Sequence, residues 1–333
     1  MTLTGTELAL LDRWQRGFPL VKRPFAVVGK SVGITERSAL DIFEKLQEQQ
    51  MISRIGAIVR PHAVGASTLG AMRVTPDRLE EVAAVVSAQP FVSHNYQRTN
   101  DYNLWFVIAA PHAQAVAATI ASIRDITDLA VLDLPLQRAY HLDLGFPLRG
   151  IRPPRREKPH VVPDFRPDMT DRKLLAAIED GLAIVRQPYG DVAKRIGLDE
   201  ADVIARLKRL TDGGVVTRLG CIVRHRALGY TANAMAVWDV PDDDVDAVAA
   251  TFVRNARVTL CYRRKRLPPD WPYNLYCMVH AKSRNNALAV VDNLNATAGI
   301  TRNVQSVLFS TRCFKQRGAV FSDRDRGCID ARL

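Results

Sequence analysis

Cysteine is scarce in these 333 residues, and what there is does not pair. The five cysteines, Cys221, Cys261, Cys277, Cys313 and Cys328, all lie in the second half and form neither a CxxC motif nor zinc-ligand spacing. They read as reduced thiols, several of them buried in strands. No apolar stretch is long enough to span a bilayer, which argues against a membrane protein. The first residues, MTLTGTELALLDRWQRGF, carry scattered charges and lack the apolar core of a signal peptide, so a cytoplasmic location is expected. No GxGxxG loop is present to cradle a dinucleotide. Acidic residues are outnumbered: 46 Lys and Arg against 35 Asp and Glu leave a net charge of +11. That excess attracts polyanions, whether nucleic acid or a small molecule rich in carboxylates. Part of it is local, because Arg149, Arg152, Arg155, Arg156 and Lys158 crowd one segment.

Apolar and charged contents of 47% and 24% are ordinary for globular domains. An internal duplication organises them. RIGAIVR at Arg54–Arg60 recurs as RLGCIVR at Arg218–Arg224, and the same offset carries Pro24 onto Pro188, Lys30 onto Lys194, Gly33 onto Gly197 and Gly65 onto Gly229. Tyr102-Asn-Leu-Trp105 recurs as Tyr273-Asn-Leu-Tyr276, and Arg138 falls on Arg312. The offset grows through small insertions in the second copy, chiefly RLPPDWP at Arg266–Pro272. A proline- and arginine-rich linker, residues 147–170, separates the copies; its prolines forbid a continuous helix.

Each copy opens with short helices and a β-branched strand, the pattern of a winged helix-turn-helix built from three helices and a hairpin. In the second copy the helices are expected at Leu174–Val185, Tyr189–Ile196 and Glu200–Leu210, with Gly213-Gly214 turning the chain into VVTRLGCIV. The remainder reads strand, helix, strand, strand, helix, strand, the ferredoxin-like βαββαβ order. The expected fold is therefore α+β, a tandem winged helix plus ferredoxin-like domain, with the sheets of the two halves packed together. The boundaries fall at 1–62, 63–146, 171–226 and 227–322, with a tail at 323–333.

Alternation along Phe91–Arg98 places Val92, His94, Tyr96 and Arg98 on one sheet face, and Phe91, Ser93, Asn95 and Gln97 on the other. A histidine, a tyrosine and an arginine in one row are unusual for a plain core; a solvated strand face is the bland alternative. Alignment of the copies puts Leu260 under His94, Tyr262 under Tyr96 and Arg264 under Arg98. The next strand of the second half carries His280 where the first has Ala109. Each half thus holds a histidine that the other lacks, as expected if the halves have specialised around a shared cavity. At the last strand His141 matches Lys315, beside the pair Arg138 and Arg312. His62, His112, His160 and His225 read as surface or loop residues.

With these residues in view, the winged helix plus ferredoxin-like domain resembles the Lrp/AsnC regulators. The motifs HNYQR…YNLWF and CYRR…WPYNLYCMVH resemble the siroheme decarboxylases, a family built on that fold. The likeness covers both halves, one similar to each subunit type, as in the fused form of the d1-type haem pathway of denitrifiers. It implies conversion of siroheme to 12,18-didecarboxysiroheme by loss of carbon dioxide from two acetate arms, without a cofactor; the iron belongs to the substrate, and no protein metal site is implied. Arginines suit the eight carboxylates of siroheme: Arg98 and Arg264 first, then Lys315, Arg138, Arg312 and His141. His94, then His280, are the expected proton donors, with Tyr96 catalytic and Tyr262 orienting a carboxylate. An imidazole has a second use as axial ligand to the substrate iron, and the sequence allows both.

The contrasting expectation is a DNA-binding regulator. Groove-facing helix starts favour Arg, Lys, Asn or Gln, whereas the second copy presents Asp199, Glu200 and Asp202, and the first presents Thr35, Glu36, Arg37 and Ser38, then Asp41 and Glu44. DNA binding is therefore not expected. A non-catalytic haem-binding protein is the third reading. The partners expected are a tetrapyrrole and the other half of the same chain, with further association of whole chains left open.

Overall fold

The computed structural model describes residues 3–142, 145, 148, 165–301 and 304–319. In the first half, α1 (Gly5–Trp14), α2 (Pro24–Lys30), α3 (Glu36–Glu48) and β1 (Ile52–Val59) precede β2 (Ala66–Met72), α4 (Leu79–Ala88), β3 (Val92–Arg98), β4 (Leu104–Ala110), α5 (Ala113–Thr127) and β5 (Leu132–Leu142). The second half repeats the series as α6 (Met169–Ala177), α7 (Pro188–Ile196), α8 (Glu200–Asp212), β6 (Val216–Val223), β7 (Ala232–Trp238), α9 (Val245–Phe252), β8 (Val258–Arg264), β9 (Leu275–Ala281), α10 (Arg284–Ala298) and β10 (Gln305–Gln316). Most of the 147–170 linker, with its basic cluster and His160, and the 323–333 tail with Cys328 lie outside the described residues.

Local signals place these elements. Reciprocal capping boxes, Thr4 with Glu7 and Asp168 with Asp171, start α1 and α6. Proline opens both α2 and α7, where its missing N–H costs nothing. The helix expected over Leu174–Val185 is shorter and earlier. The chain leaves the helix after Ala177, Gly181 takes φ +109°, and Leu182 N–H donates to the Ile55 carbonyl of β1. A bond across the two halves there replaces continued helix.

The wings also differ from expectation. Neither β1 nor β6 folds back as a hairpin; instead they pair antiparallel with each other, Gly56 opposite Gly220. One apolar core then holds both sets of short helices, from Leu10, Phe25 and Phe43 to Leu174, Tyr189 and Leu207. Gly220 is required at this crossing, because a Cβ there would collide with the backbone carbonyls of Trp14 and Gln15. Pairing with its twin satisfies one backbone edge of each strand, and the shared core buries apolar surface from both halves.

The two four-stranded sheets join through their last strands. β5 pairs with β2 over Leu132–Pro135 and then with β8 over Leu136–Leu142. β10 does the same, pairing with β7 over Gln305–Phe309 and with β3 over Ser310–Gln316. The result is a closed eight-stranded barrel of order β10-β3-β4-β2-β5-β8-β9-β7. The helices cover its outside through two separate cores, one around Phe106, Ile108 and Val86, the other around Trp238, Phe252 and Val279. Its inside is filled by Leu69, Trp105, Leu134, Met235, Tyr276 and Leu308.

The RLPPDWP insertion closes one end. Trp271 is buried, with its ring centroid 4.9 Å from Trp105 and 5.8 Å from Tyr102 of the other half, and its Nε1 donates to the Tyr276 hydroxyl at 2.7 Å. Arg266 anchors the insertion to Asp239, Asp242 and the Pro272 carbonyl.

Candidate active site

Two rows of polar side chains face away from the helices, one from each half. On β3, Asn95 points outward, its amide donating to the Ala83 carbonyl of α4 at 3.0 Å. His94, Tyr96 and Arg98 alternate with it and share the opposite face, the His94 and Tyr96 rings stacked 6.2 Å apart. On β8, Cys261 belongs to the helix-side core while Tyr262 packs on the barrel interior, which places Arg264 inside with it. On β9, His280 sits between Val279 and Ala281, both helix-side residues, and so points the same way as Tyr276. The row predicted on β3 therefore forms, except at its first member. Val92 packs on the helix side, because the β3–β4 ladder slips one residue between Val92 and His94.

That slip has a copy between Val258 and Leu260 of β8. At each bulge the extra residue is a hydroxyl, Ser93 or Thr259, and each reaches an imidazole. Ser93 Oγ lies 2.9 Å from His94 Nδ1 and donates to the Val107 carbonyl at 3.3 Å. Thr259 Oγ1 lies 2.9 Å from His280 Nδ1 and donates to the Met278 carbonyl at 3.1 Å. Simple alternation assigned Ser93 to the face opposite His94; the bulge brings its hydroxyl back.

The two arginines are held alike. Arg98 Nη1 donates to the Leu308 carbonyl at 3.3 Å and Arg264 Nη1 to the Leu134 carbonyl at 2.7 Å, equivalent strand positions in the two halves. Each guanidinium lies near the ring of its neighbouring tyrosine, Arg98 at 5.7 Å from Tyr96 and Arg264 at 5.1 Å from Tyr262. In both arginines Nε is buried without a protein acceptor. Such a donor is costly to bury unless an anion meets it. Burial lowers both guanidinium pKa values, that of Arg98 to about 10, which still leaves it charged at neutral pH. Tyr262 is pushed up to about 12 by burial, opposed by the charges of Arg264 and Arg98, so the two rows meet electrostatically across the barrel.

The surroundings of the rows are unequal. Near His94 stands Arg54 from β1, a half-buried arginine whose buried Nε also lacks a protein acceptor. Burial first, and then the Arg54 charge, push the His94 imidazole down to about 4. Tyr96 is bonded to Cys313 of β10 and feels Arg226; its hydroxyl is pushed well up, chiefly by burial. Arg226 donates to the Ser310 carbonyl at 3.3 Å. The position equivalent to Cys313 is Ala139, so Tyr262 has no matching thiol. Arg54, Ser93, Thr259, Arg226 and Cys313 were not singled out in the sequence. The matched arginines of RIGAIVR and RLGCIVR, and a hydroxyl residue before each row, were the signals available.

Four expected substrate contacts lie elsewhere. Arg138 bonds Asp246 of α9 at 2.5 Å, and its equivalent Arg312 bonds Glu80 of α4, both on the exposed outer surface. Lys315 donates to the carbonyls of Ser87 and Gln89, at 2.5 and 3.1 Å, where it caps the end of α4. Burial lowers its pKa to about 8. His141 lies opposite Cys261, a residue of the helix-side core. A one-residue change of strand phase separates these four from the inner face. Among the described residues no group of three or more His, Cys, Asp and Glu could hold a metal ion. No described helix is long and apolar enough to cross a membrane.

Comparisons with known proteins agree with this fold. A model of the siroheme decarboxylase NirDL-like HTH domain matches residues 7–52 and 171–216, and a model of the AsnC-like ligand-binding domain matches 63–141 and 227–315. The siroheme decarboxylase NirDL subunit of Paracoccus denitrificans is 42% identical over 97% of this chain and 99% of its own length. The siroheme decarboxylase of Hydrogenobacter thermophilus is 33% identical over 91% of this chain and 90% of its own. A crystal structure of the siroheme decarboxylase NirDL in complex with an iron-uroporphyrin III analogue superposes with a TM-score of 0.66 at 29% identity, covering 96% of this chain and 94% of that one.

Proposed function

The chain belongs to the siroheme decarboxylase family, and on that premise we propose that it converts siroheme to 12,18-didecarboxysiroheme, its own side chains supplying the anion binding and the protons. The observation that carries this reading is the pair of inward rows, each with a buried arginine whose Nε lacks a protein acceptor and, further along the strands, an imidazole next to a hydroxyl. Siroheme presents eight carboxylates, and a charge-assisted bond from an arginine to a carboxylate is worth about 1.5–3 kcal/mol. Arg98 and Arg264 take acid arms of the macrocycle; Arg54 is placed to take another near His94.

The reaction needs no net electron transfer. An acetate arm loses carbon dioxide, its bonding pair passes to the methylene and into the protonated macrocycle, and one proton converts the methylene to a methyl group. The acid must stand close to that carbon, and His94 and His280 are the groups suited to this. With its pKa lowered to about 4, the His94 imidazole is neutral at pH 7. A substrate carboxylate on Arg54 would offset the smaller of the two effects that lower the imidazole, the larger being burial. A neutral His94 also fits as axial ligand to the substrate iron. These uses differ in what His94→Ala loses first, turnover or the spectrum and affinity of the complex.

The helix starts argue against reading DNA. Glu36 at the start of α3 is bonded to Arg23, Arg37 pairs with Asp41 at 2.8 Å, and α8 opens on Glu200 and Asp202. Strictly anaerobic incubation of gel-filtered protein with siroheme, without flavin, nicotinamide or added metal, tests the proposal. Product without additives is expected. A requirement for any additive would overturn the cofactor-free part.

A further inference from the structure

We propose that Ser93 and Thr259 are positioning residues, each fixing its histidine as the Nδ1–H tautomer and so turning Nε2 toward the tetrapyrrole. The proposal rests on the decarboxylase reading of the same site. A hydroxyl has one proton, and each of these hydroxyls faces two partners. Val107 O and Met278 O, at 3.3 and 3.1 Å, are carbonyls that only accept. If the hydroxyl proton went to Nδ1, two oxygens would face each other with lone pairs and no proton between them. With the proton on the carbonyl, the hydroxyl lone pair accepts Nδ1–H at 2.9 Å, and all three groups are satisfied.

The same arrangement survives protonation. In imidazolium both nitrogens carry hydrogen, Nδ1–H keeps its bond to the hydroxyl, and only Nε2 gains or loses a proton. Nε2 is thereby the single atom through which the ring exchanges protons or meets iron, with no rotation between the two states. A partner at one imidazole nitrogen sets the use of the other.

The two halves reach this arrangement from different positions. The hydroxyls are matched, the bulges that carry them are matched, and the carbonyls they bond are matched. The imidazoles are not matched. His94 is the next residue on the same strand, whereas His280 comes from the neighbouring strand, where the first half has Ala109. Leu260 stands at the place of His94. The constant element is the hydroxyl on its carbonyl, and each half brings a different histidine to it. A hydroxyl serving only to close the bulge would not need an imidazole in both copies.

¹⁵N-histidine NMR of the full chain reads the tautomer directly, with His94→Gln assigning the signal. In the wild type the His94 Nδ1 should be protonated and Nε2 should carry the lone pair. Ser93→Ala should mix the tautomers and lower kcat about ten- to a hundredfold, leave siroheme affinity within about twofold, and shift the acid limb of the pH profile; Ser93→Thr should restore all of these. Thr259→Val, isosteric and rescued by Thr259→Ser, should do the same for His280. Unchanged tautomer and kcat in both Ser93→Ala and Thr259→Val would overturn the proposal, as would an Nε2–H tautomer in the wild type. If the wild type leaves siroheme intact, the decarboxylase reading fails, while the nitrogen shifts still decide the tautomer.

Discussion

Acid should destabilise this protein in a window set by His94. Its imidazole is lowered from 6.5 to about 4 by burial and by the Arg54 charge. A histidine whose folded pKa is depressed stays neutral when folded, while the unfolded chain takes up a proton near pH 6.5. Its contribution is present above pH 6.5 and is lost as pH falls from there toward 4, where the folded state also protonates. A difference of about 2.5 pH units at 1.36 kcal/mol each comes to roughly 3 kcal/mol, and solvent at the half-buried ring trims it to about 2–3. Carboxylates held low by partners, such as Glu7 and Asp168, lose their contributions only below their unfolded values near pH 4. The window from 6.5 to 4.5 therefore lies above the carboxylates, and His94→Gln separates His94 from the other histidines, the buried His280 among them. Urea unfolding at half-unit pH steps should show stability falling by up to about 1.4 kcal/mol per pH unit in the wild type and much less in His94→Gln. A flat wild-type profile, or the same slope in the variant, would refute the burial and the Arg54 contact together.

Other expectations follow from the two rows. Arg98→Ala and Arg264→Ala should each weaken siroheme binding about ten- to a hundredfold in a spectroscopic titration, while far-UV circular dichroism stays unchanged. His94→Ala and His280→Ala, examined singly, should give unequal product patterns; a monodecarboxylated product from one of them would assign one step to each row, and loss of both steps together would point to one working site. Trp271→Ala should destabilise the barrel by about 3–5 kcal/mol in denaturant unfolding, because its ring fills the closed end between Trp105, Tyr102 and Tyr273.

The duplication was legible because RIGAIVR and YNLW repeat almost letter for letter, and with it the order of elements in both halves. The pairing of β1 with β6 was not legible. A β-branched strand beside a wing looks the same whether its partner is its own hairpin or its twin, and the shared core of Phe25, Phe43 and Tyr189 forms only in three dimensions. Likewise the length of β5 and β10 shows only in the structure as a crossing from one sheet to the other. The rows on β3 and β8 were readable from period two, up to the bulges. One extra residue leaves composition unchanged but turns Val92 outward and returns Ser93 to His94. Arg138 and Arg312, matched to each other and expected as substrate contacts, each bond an acid of the helix layer instead of joining the inner rows. Glu80 and Asp246, acids at the second position of α4 and α9, were the sequence signal that each arginine has an outer partner.

Mass analysis of siroheme after anaerobic incubation with the wild type and with the His94→Ala/His280→Ala double variant tests the central claim most directly. The wild type should return a tetrapyrrole lighter by two carbon dioxide equivalents, while the double variant should bind siroheme and return it unchanged. Unaltered substrate from the wild type, or full product from the double variant, would contradict the account.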